Sequence, residues 1–249
     1  MSKAALPYRL TGVRPPQIGL IVLQADETIE PDFRRLMPRE VDLLVSRLPS
    51  GAEVTADTLS AQEAHLTASA ALFPVASHFS AVGYGCTSGT AQIGAAEVAR
   101  RIRAGTPTQA VTEPLSATIA ACRALGLGRL ALVSPYIAPV SDRLRQAFAG
   151  AGIETPGFGS FEVAEEAQVV RIDADSIMRA TEKVAGRAEV DGVFLSCTNL
   201  RTLEAIRPLE ARLGLPVLSS NLVLAWHLLQ LAGIASAPRT PGELLDPAG

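Results

Sequence analysis

From residue 18 onward, short apolar runs of strand length alternate with Ala-, Leu- and Arg-rich helical stretches, and the chain does this twice over. "IGLIVL" (18–23) and the centre of "EVDLLVSRLP" (40–49) read as strands, and "TLSAQEAHLTASAALFP" (58–74) reads as a helix by its apolar spacing. "FSAVGYGC" (79–86) is a third strand, and "TAQIGAAEVARRIRAG" (90–105) is a helix stopped by Gly105. The second half follows suit. "LSATIAACRALGLG" is a helix, "RLALVSP" (129–135) a strand and "SDRLRQAFAGAG" (141–152) a helix. After the helical "DADSIMRATEKVAGRAEV" (173–190) come the strand "DGVFLSC" (191–197) and the helix "NLRTLEAIRPLEARLG" (199–214). "PVLSS" is a last strand before the apolar helix "NLVLAWHLLQLAG" (221–233). Strands that alternate with helices pack as parallel sheets covered by helices on both faces.

The two halves also share a detail. "GYGCTSGT" (83–90) and "FLSCTNLRTL" (194–203) each end an apolar run in Cys-Thr and then lead toward helical sequence. The repeat predicts an α/β protein of two pseudosymmetric lobes, residues 1–114 plus 222–249 and residues 115–221, with Cys86 and Cys197 at equivalent strand ends. Open α/β sheets bind ligands at the carboxyl ends of their strands, so the two thiols are expected to face each other across a cleft between the lobes.

At 249 residues the chain buries a large core without staples, and with aromatics at 4% that core must be aliphatic. A net charge of −3 without Lys/Arg clusters predicts neither a nucleic-acid nor an anionic-membrane partner. The apolar runs are strand-sized, short of a membrane span, and the start "MSKAALPYRLTGVRPPQIG" has no signal-type apolar core, which predicts a cytoplasmic protein. Three scattered cysteines make no disulfide framework, and neither CxxC nor a Cys/His cluster suggests a metal. GxGxxG, GxxxxGK[ST] and HExxH are lacking as well, so no cofactor is expected. The low charge density and the apolar helix at 221–233 suit a homo-oligomer.

A thiol at a strand top and helix mouth gains from the helix dipole, which predicts a lowered thiolate pKa for Cys86 and Cys197. Thr87, Ser88 and Gly89 after the first cysteine, with Thr198 and Asn199 after the second, supply donors for a carboxylate or an enolate. Two thiols on opposite faces of one carbon suffice for racemisation without a cofactor. The alternative is that both are small core residues, as Cys122 inside "IAACRALG" is expected to be. His65, His78 and His227 adjoin neither cysteine and read as structural. Glu30 is a candidate anchor of the first loop, and Ser116 and Thr118 are candidate neighbours of the site.

These paired motifs resemble the Asp/Glu racemase superfamily over roughly residues 15–235, and within it the maleate cis-trans isomerase/arylmalonate decarboxylase branch. "IGLIVLQADETIEPDFRRLMP" (18–38) matches that branch's N-terminal signature, and "VLQADETIEPDFRRL" is similar to its ectoine-utilisation members. The resemblance implies a two-lobe fold with the site between the lobes, catalytic roles for Cys86 and Cys197, and a substrate-binding role for Tyr136 in "VSPYIAPVSDRL". Arylmalonate decarboxylases keep only the second cysteine, so Cys86 speaks against simple decarboxylation. Maleate isomerases carry asparagines where this chain has Asp26 and, in a looser alignment, Glu166. An ionised carboxylate accepts hydrogen bonds and cannot donate them to maleate. These two positions therefore predict a substrate with an ammonium or amide N–H, such as an amino acid or an N-acetyl-2,4-diaminobutyrate from ectoine ring opening. Asp26 alternatively caps the turn that follows it. The expected activity is racemisation or isomerisation at the α-carbon of a small carboxylate of amino acid type. Maleate-type isomerisation by Cys addition and a non-catalytic metabolite-binding protein are the alternatives.

Overall fold

The computed structural model describes residues 6–234; residues 1–5 and 235–249, which the expected first lobe includes, lie outside the described residues. The chain runs β1 (Gln17–Leu23), α1 (Ile29–Leu36), β2 (Asp42–Leu48), α2 (Ala56–Ala61), α3 (Glu63–Ala70), β3 (Phe79–Gly85), α4 (Thr87–Ile93), α5 (Ala95–Gly105) and β4 (Thr108–Thr112). It continues as α6 (Pro114–Leu125), β5 (Arg129–Ser134), α7 (Ala138–Gly150), β6 (Glu154–Ser160), α8 (Glu166–Val169), α9 (Ala174–Ala185), β7 (Gly192–Leu195), α10 (Leu203–Leu213), β8 (Val217–Ser219) and α11 (Ser220–Leu231).

Two four-stranded sheets form, β2-β1-β3-β4 and β6-β5-β7-β8, and every pairing is parallel. Exchanging β1–β4 for β5–β8 reproduces the order, so the two sheets are pseudosymmetric copies flanked by helices. The strands that feed the site are buried along their length because helices cover both faces: β1, β5 and β7 are apolar almost throughout, and every residue of them but Arg129 is buried.

Four local expectations change. The stretch 58–74 makes two helices, α2 and α3, that meet at Gln62, whose N–H bonds back to the carbonyls of Leu59 and Ser60 in a tightened turn. The stretch 90–105 is likewise divided, by Gly94 at φ +96°, a conformation that favours glycine. β4 and β6 lie at sheet edges in "TQAVT" and "ETPGFGS", where no apolar run marks a strand. In β6, Gly157 and Gly159 let α9 approach: a methyl group on Gly159 would come within 2.6 Å of Val184 Cγ2. The helix expected from residue 199 begins only at Leu203, so Cys197 is followed by a turn.

α11 leaves β8 of the second sheet and packs against β3, β4 and α6. Gly83 of β3 makes room for it, since a methyl group there would lie 3.0 Å from Leu228 Cδ1 and 3.5 Å from Leu224 Cδ1. The chain thus passes between the sheets twice, at Thr112–Pro114 and at Ser219–Asn221. Among the described residues no helix is long and apolar enough to cross a membrane.

Candidate active site

Both cysteines stand where parallel strands end, but the chain presents them differently. Cys86 follows β3 directly and is the N-cap of α4, in extended backbone at φ −152° and ψ 111°. Its Sγ accepts the Gly89 N–H at 3.2 Å and lies 3.8 Å from Ser88 Oγ. Cys197 follows β7 after Ser196 and adopts φ +104°, in the left-handed region that non-glycine residues avoid. Such backbone costs about 1–3 kcal/mol and persists only where its surroundings over-determine it. The Cys197 N–H donates to Ser220 Oγ at 3.0 Å, and the Ser196 N–H donates to the Val133 carbonyl at 2.8 Å.

Ser220, the first residue of α11, ties the two strand ends together. Besides accepting from Cys197, its hydroxyl pairs with Thr87 Oγ1 at 2.8 Å. Thr198 Oγ1 adds a second tie by donating to the Gly85 carbonyl at 3.2 Å. The residues beside one thiol are therefore bonded to those beside the other. Tyr136, wholly buried, follows β5, and its hydroxyl lies within the electrostatic reach of both sulfurs.

The expected lowering of the thiol pKa is not what this geometry produces. Burial pushes the Cys86 thiol up to about 11, and the Gly89 N–H and Ser88 offset only part of this. Burial also drives Cys197 well above the ordinary thiol range, and the negative charges of Glu166 and Asp26 add to it. No helix starts at Cys197, and at Cys86 the helix offers its hydrogen bonds in a site that excludes water, where desolvation of the thiolate wins. Both thiols are thus held neutral, with Cys86 only 3% and Cys197 5% exposed.

One wall is acidic. Asp26 Oδ1 accepts the N–H groups of Thr28 and Ile29, each at 2.8 Å, so the turn-capping alternative is realised. Its Oδ2 is buried without a hydrogen-bond partner among the described residues, beside the Thr198 hydroxyl that donates elsewhere. Glu166 opens α8, and burial pushes its carboxyl up to about 7. Asn199 is a brace rather than a free donor: its Nδ2 donates to Glu166 Oε2 at 2.7 Å, and its Oδ1 accepts the Glu27 N–H at 2.9 Å. Asp32 is raised to about 6 by burial and accepts from Asn221 Nδ2 at 2.8 Å. The loop that carries Asp26 is stapled by Arg47, whose Nη1 donates to the carbonyls of Leu23, Gln24 and Asp26 at 3.1 Å each. Glu30 pairs with the same guanidinium, which is how it anchors this loop.

The structure therefore buries Cys86, Cys197, Asp26, Thr87, Ser88, Tyr136, Thr198, Asn199 and Glu166 in the region where the two sheets' strand ends are tied together. Thr87, Thr198 and Asn199 already use their side chains in braces, whereas the Ser88 hydroxyl has only the Cys86 sulfur, 3.8 Å away, as its side-chain neighbour among the described residues. Ser116 and Thr118 belong to α6, where Thr118 Oγ1 bonds the Pro114 carbonyl and the Ser116 N–H is capped by Glu113. His65 and His78 are exposed, and His227 Nδ1 pairs with Thr112 Oγ1 at 2.7 Å. Ser220, Asn221, Arg47 and Asp32 escaped the sequence reading, because each reaches partners from distant segments. The described residues contain no group of three or more His, Cys, Asp or Glu side chains fit to hold a metal ion.

Comparison with known proteins finds relatives of this fold. A profile of the arylmalonate decarboxylase family matches residues 66–245. Arylmalonate decarboxylase of Bordetella bronchiseptica is 31% identical over 93% of this chain and 97% of its own. Maleate isomerase of Nocardia farcinica is 28% identical over a match that spans 59% of each chain. Among solved structures, maleate isomerase of Pseudomonas putida S16 with maleate superposes with a TM-score of 0.83 at 23% identity, covering 94% of this chain and 98% of that one. A liganded variant of arylmalonate decarboxylase, with a cysteine introduced for glycine and a serine for cysteine, gives 0.81 at 29% identity over 94% and 100%. The two-sheet architecture is the Asp/Glu racemase-like fold of these enzymes, and the chain belongs to the arylmalonate decarboxylase family.

Proposed function

We propose that this protein is a cofactor-independent isomerase that moves a proton at the α-carbon of a small carboxylate of amino acid type, with Cys86 and Cys197 as its acid/base pair. The observation that carries the reading is the bridge through Ser220, which joins the neighbours of two buried thiols at equivalent strand ends. One thiol first yields its proton to solvent, and its thiolate then takes the α-proton from one face of the carbon. The opposite thiol gives its proton to the other face, so the carbon loses one proton and gains one and the two sulfurs exchange states. The carbanion formed in between is very basic, and Ser88, Tyr136 and nearby backbone N–H groups are the donors placed to stabilise it.

The unpartnered Oδ2 of Asp26 supports a substrate that brings a donor of its own. Asp26 and Glu166 also repel each other, and an ammonium or amide N–H placed against them relieves that repulsion. The likeness of "VLQADETIEPDFRRL" to ectoine-utilisation proteins makes an N-acetyl-2,4-diaminobutyrate a candidate within this class. A reducing cytoplasm suits the three free thiols.

A second reading, maleate-type cis-trans isomerisation by Cys addition, is favoured by one observation. Burial holds Asp26 and Glu166 toward their neutral forms, in which a carboxyl donates to a dicarboxylate. Proton NMR in deuterated buffer separates the readings. The panel holds both enantiomers of aspartate, glutamate, diaminobutyrate and its two acetyl isomers, plus maleate, against wild type, Cys86→Ser and Cys197→Ser. Loss of an α-proton signal that either substitution abolishes supports proton transfer. Conversion of maleate with every amino acid silent moves the assignment to the second reading. Silence throughout, with ligand binding that survives both substitutions, leaves a binding protein.

A further inference from the structure

Three polar atoms converge over the Cα of Gly89. A methyl group built there would lie 2.5 Å from Tyr84 Oη, 2.8 Å from Cys86 Sγ and 2.8 Å from Gln62 Oε1. All three side chains are buried, Tyr84 completely, and the Tyr84 hydroxyl donates to Gln62 Oε1. A phenol has a single proton. While that proton points at Gln62, the oxygen offers Cys86 only lone pairs, which suits a neutral thiol that donates. Turning the Gln62 side-chain amide by half a rotation puts Nε2 where Oε1 stands. The amide then donates to the phenol oxygen and frees the phenol proton for the sulfur. Among the described residues, Gln62 Nε2 makes no hydrogen bond that this turn would break.

We propose that Tyr84 and Gln62 are positioning residues that stabilise the thiolate of Cys86, and of Cys86 alone, through this reversible pair of hydrogen bonds. The sequence supplies the asymmetry. β3 ends Tyr84-Gly85-Cys86, whereas β7 leads through Leu195-Ser196-Cys197, so the strand position of this phenol holds a buried leucine in the second sheet, and the tyrosine that meets Cys197 is Tyr136, which comes from beyond β5 and has no Gln62 behind it. The phenol interaction pulls the Cys86 thiol down against the burial that pushes it up. Gln62 lies at the junction of α2 and α3, where its own N–H bonds back to the Leu59 carbonyl at 3.3 Å. The proposal rests on the reading of Cys86 as a proton-transfer group and names what tunes it.

The test reads ionisation rather than turnover. Iodoacetamide alkylates the thiolate, so its rate on a given thiol follows the thiolate fraction. Cys86 is followed in a Cys122→Ser/Cys197→Ser background and Cys197 in a Cys122→Ser/Cys86→Ser background, between pH 7 and 9. Removing a hydrogen bond to a charged group should slow alkylation of Cys86 by Tyr84→Phe about tenfold at each pH, with Cys197 unchanged. Gln62→Glu, whose carboxylate keeps the phenol proton to itself, should slow Cys86 at least as much and preserves the phenol should Tyr84→Phe not fold. An unchanged Cys86 rate in both variants overturns the proposal, as do equal falls at both cysteines, which mean a general change in cleft access. If Cys86 alone slows while no compound on the panel is turned over, the pairing stands and the isomerase reading fails.

Discussion

Glu166 is the group whose titration should be most visible in the stability of the whole protein. Its carboxyl is raised from 4.5 to about 7, chiefly because burial disfavours the charged form. A raised acid stabilises the folded state at low pH, and this contribution is lost as pH rises from the unfolded value through the folded one. At pH 8 the cost of ionising this one buried group is about 3 kcal/mol, and at pH 5 it is about 1 kcal/mol. Glu166→Gln keeps an oxygen to accept from Asn199 Nδ2 and removes the titration. The variant should therefore gain about 2–3 kcal/mol on the wild type between pH 5 and pH 8. Urea unfolding of both proteins at the two pH values gives that number as a double difference. Any pH-independent effect of the substitution, such as an amide N–H left unpaired, cancels from it. Equal pH dependence in the two proteins would refute the reasoning and mean that water reaches Glu166 in solution.

Three further outcomes follow from the packing around the thiols. Gly89→Ala places a methyl group within 2.8 Å of Cys86 Sγ and closer still to Tyr84 Oη, so it should cost about 1–3 kcal/mol in thermal unfolding and lower kcat for the substrate found by NMR by about a hundredfold. Ser220→Ala removes the acceptor for the strained Cys197 N–H and the partner of Thr87 Oγ1, and should destabilise the protein by about 1–3 kcal/mol in urea titration. Arg47→Ala frees the three carbonyls that hold the Asp26 loop, and should raise KM for that substrate several-fold while leaving kcat nearly unchanged in steady-state assays.

The fold was legible because parallel strands buried on both faces leave unbroken apolar runs such as "IGLIVL" and "VFL", and these stand out between helices. The edge strands β4 and β6 carry no such run; pairing to β3 and β5, rather than their own composition, makes them strands. The divisions at Gln62 and Gly94 were missed for a similar reason, since periodicity registers the helical stretch and not the tertiary contact that bends it. At the site, the placement of the two cysteines at equivalent strand ends could be read because their local settings repeat. Their ionisation could not, because desolvation depends on what closes over them. Ser220 shows the limit most clearly: its hydroxyl meets Thr87 from 133 residues away and Cys197 from 23, a meeting that only the passage of α11 between the sheets creates.

That passage has a consequence for how the protein is made. One face of the first sheet is closed by α11, a helix synthesised only after the second sheet is complete. While the chain emerges, β3 must wait with the groove at Gly83 unfilled and its aliphatic neighbours open to water. The first half cannot mature ahead of the second, so its contacts of longest sequence separation come last and folding is slow for a chain of this size. A ribosome stalled before residue 220 should hold a nascent chain whose first half is protease-sensitive, and resistance should appear there once α11 is released.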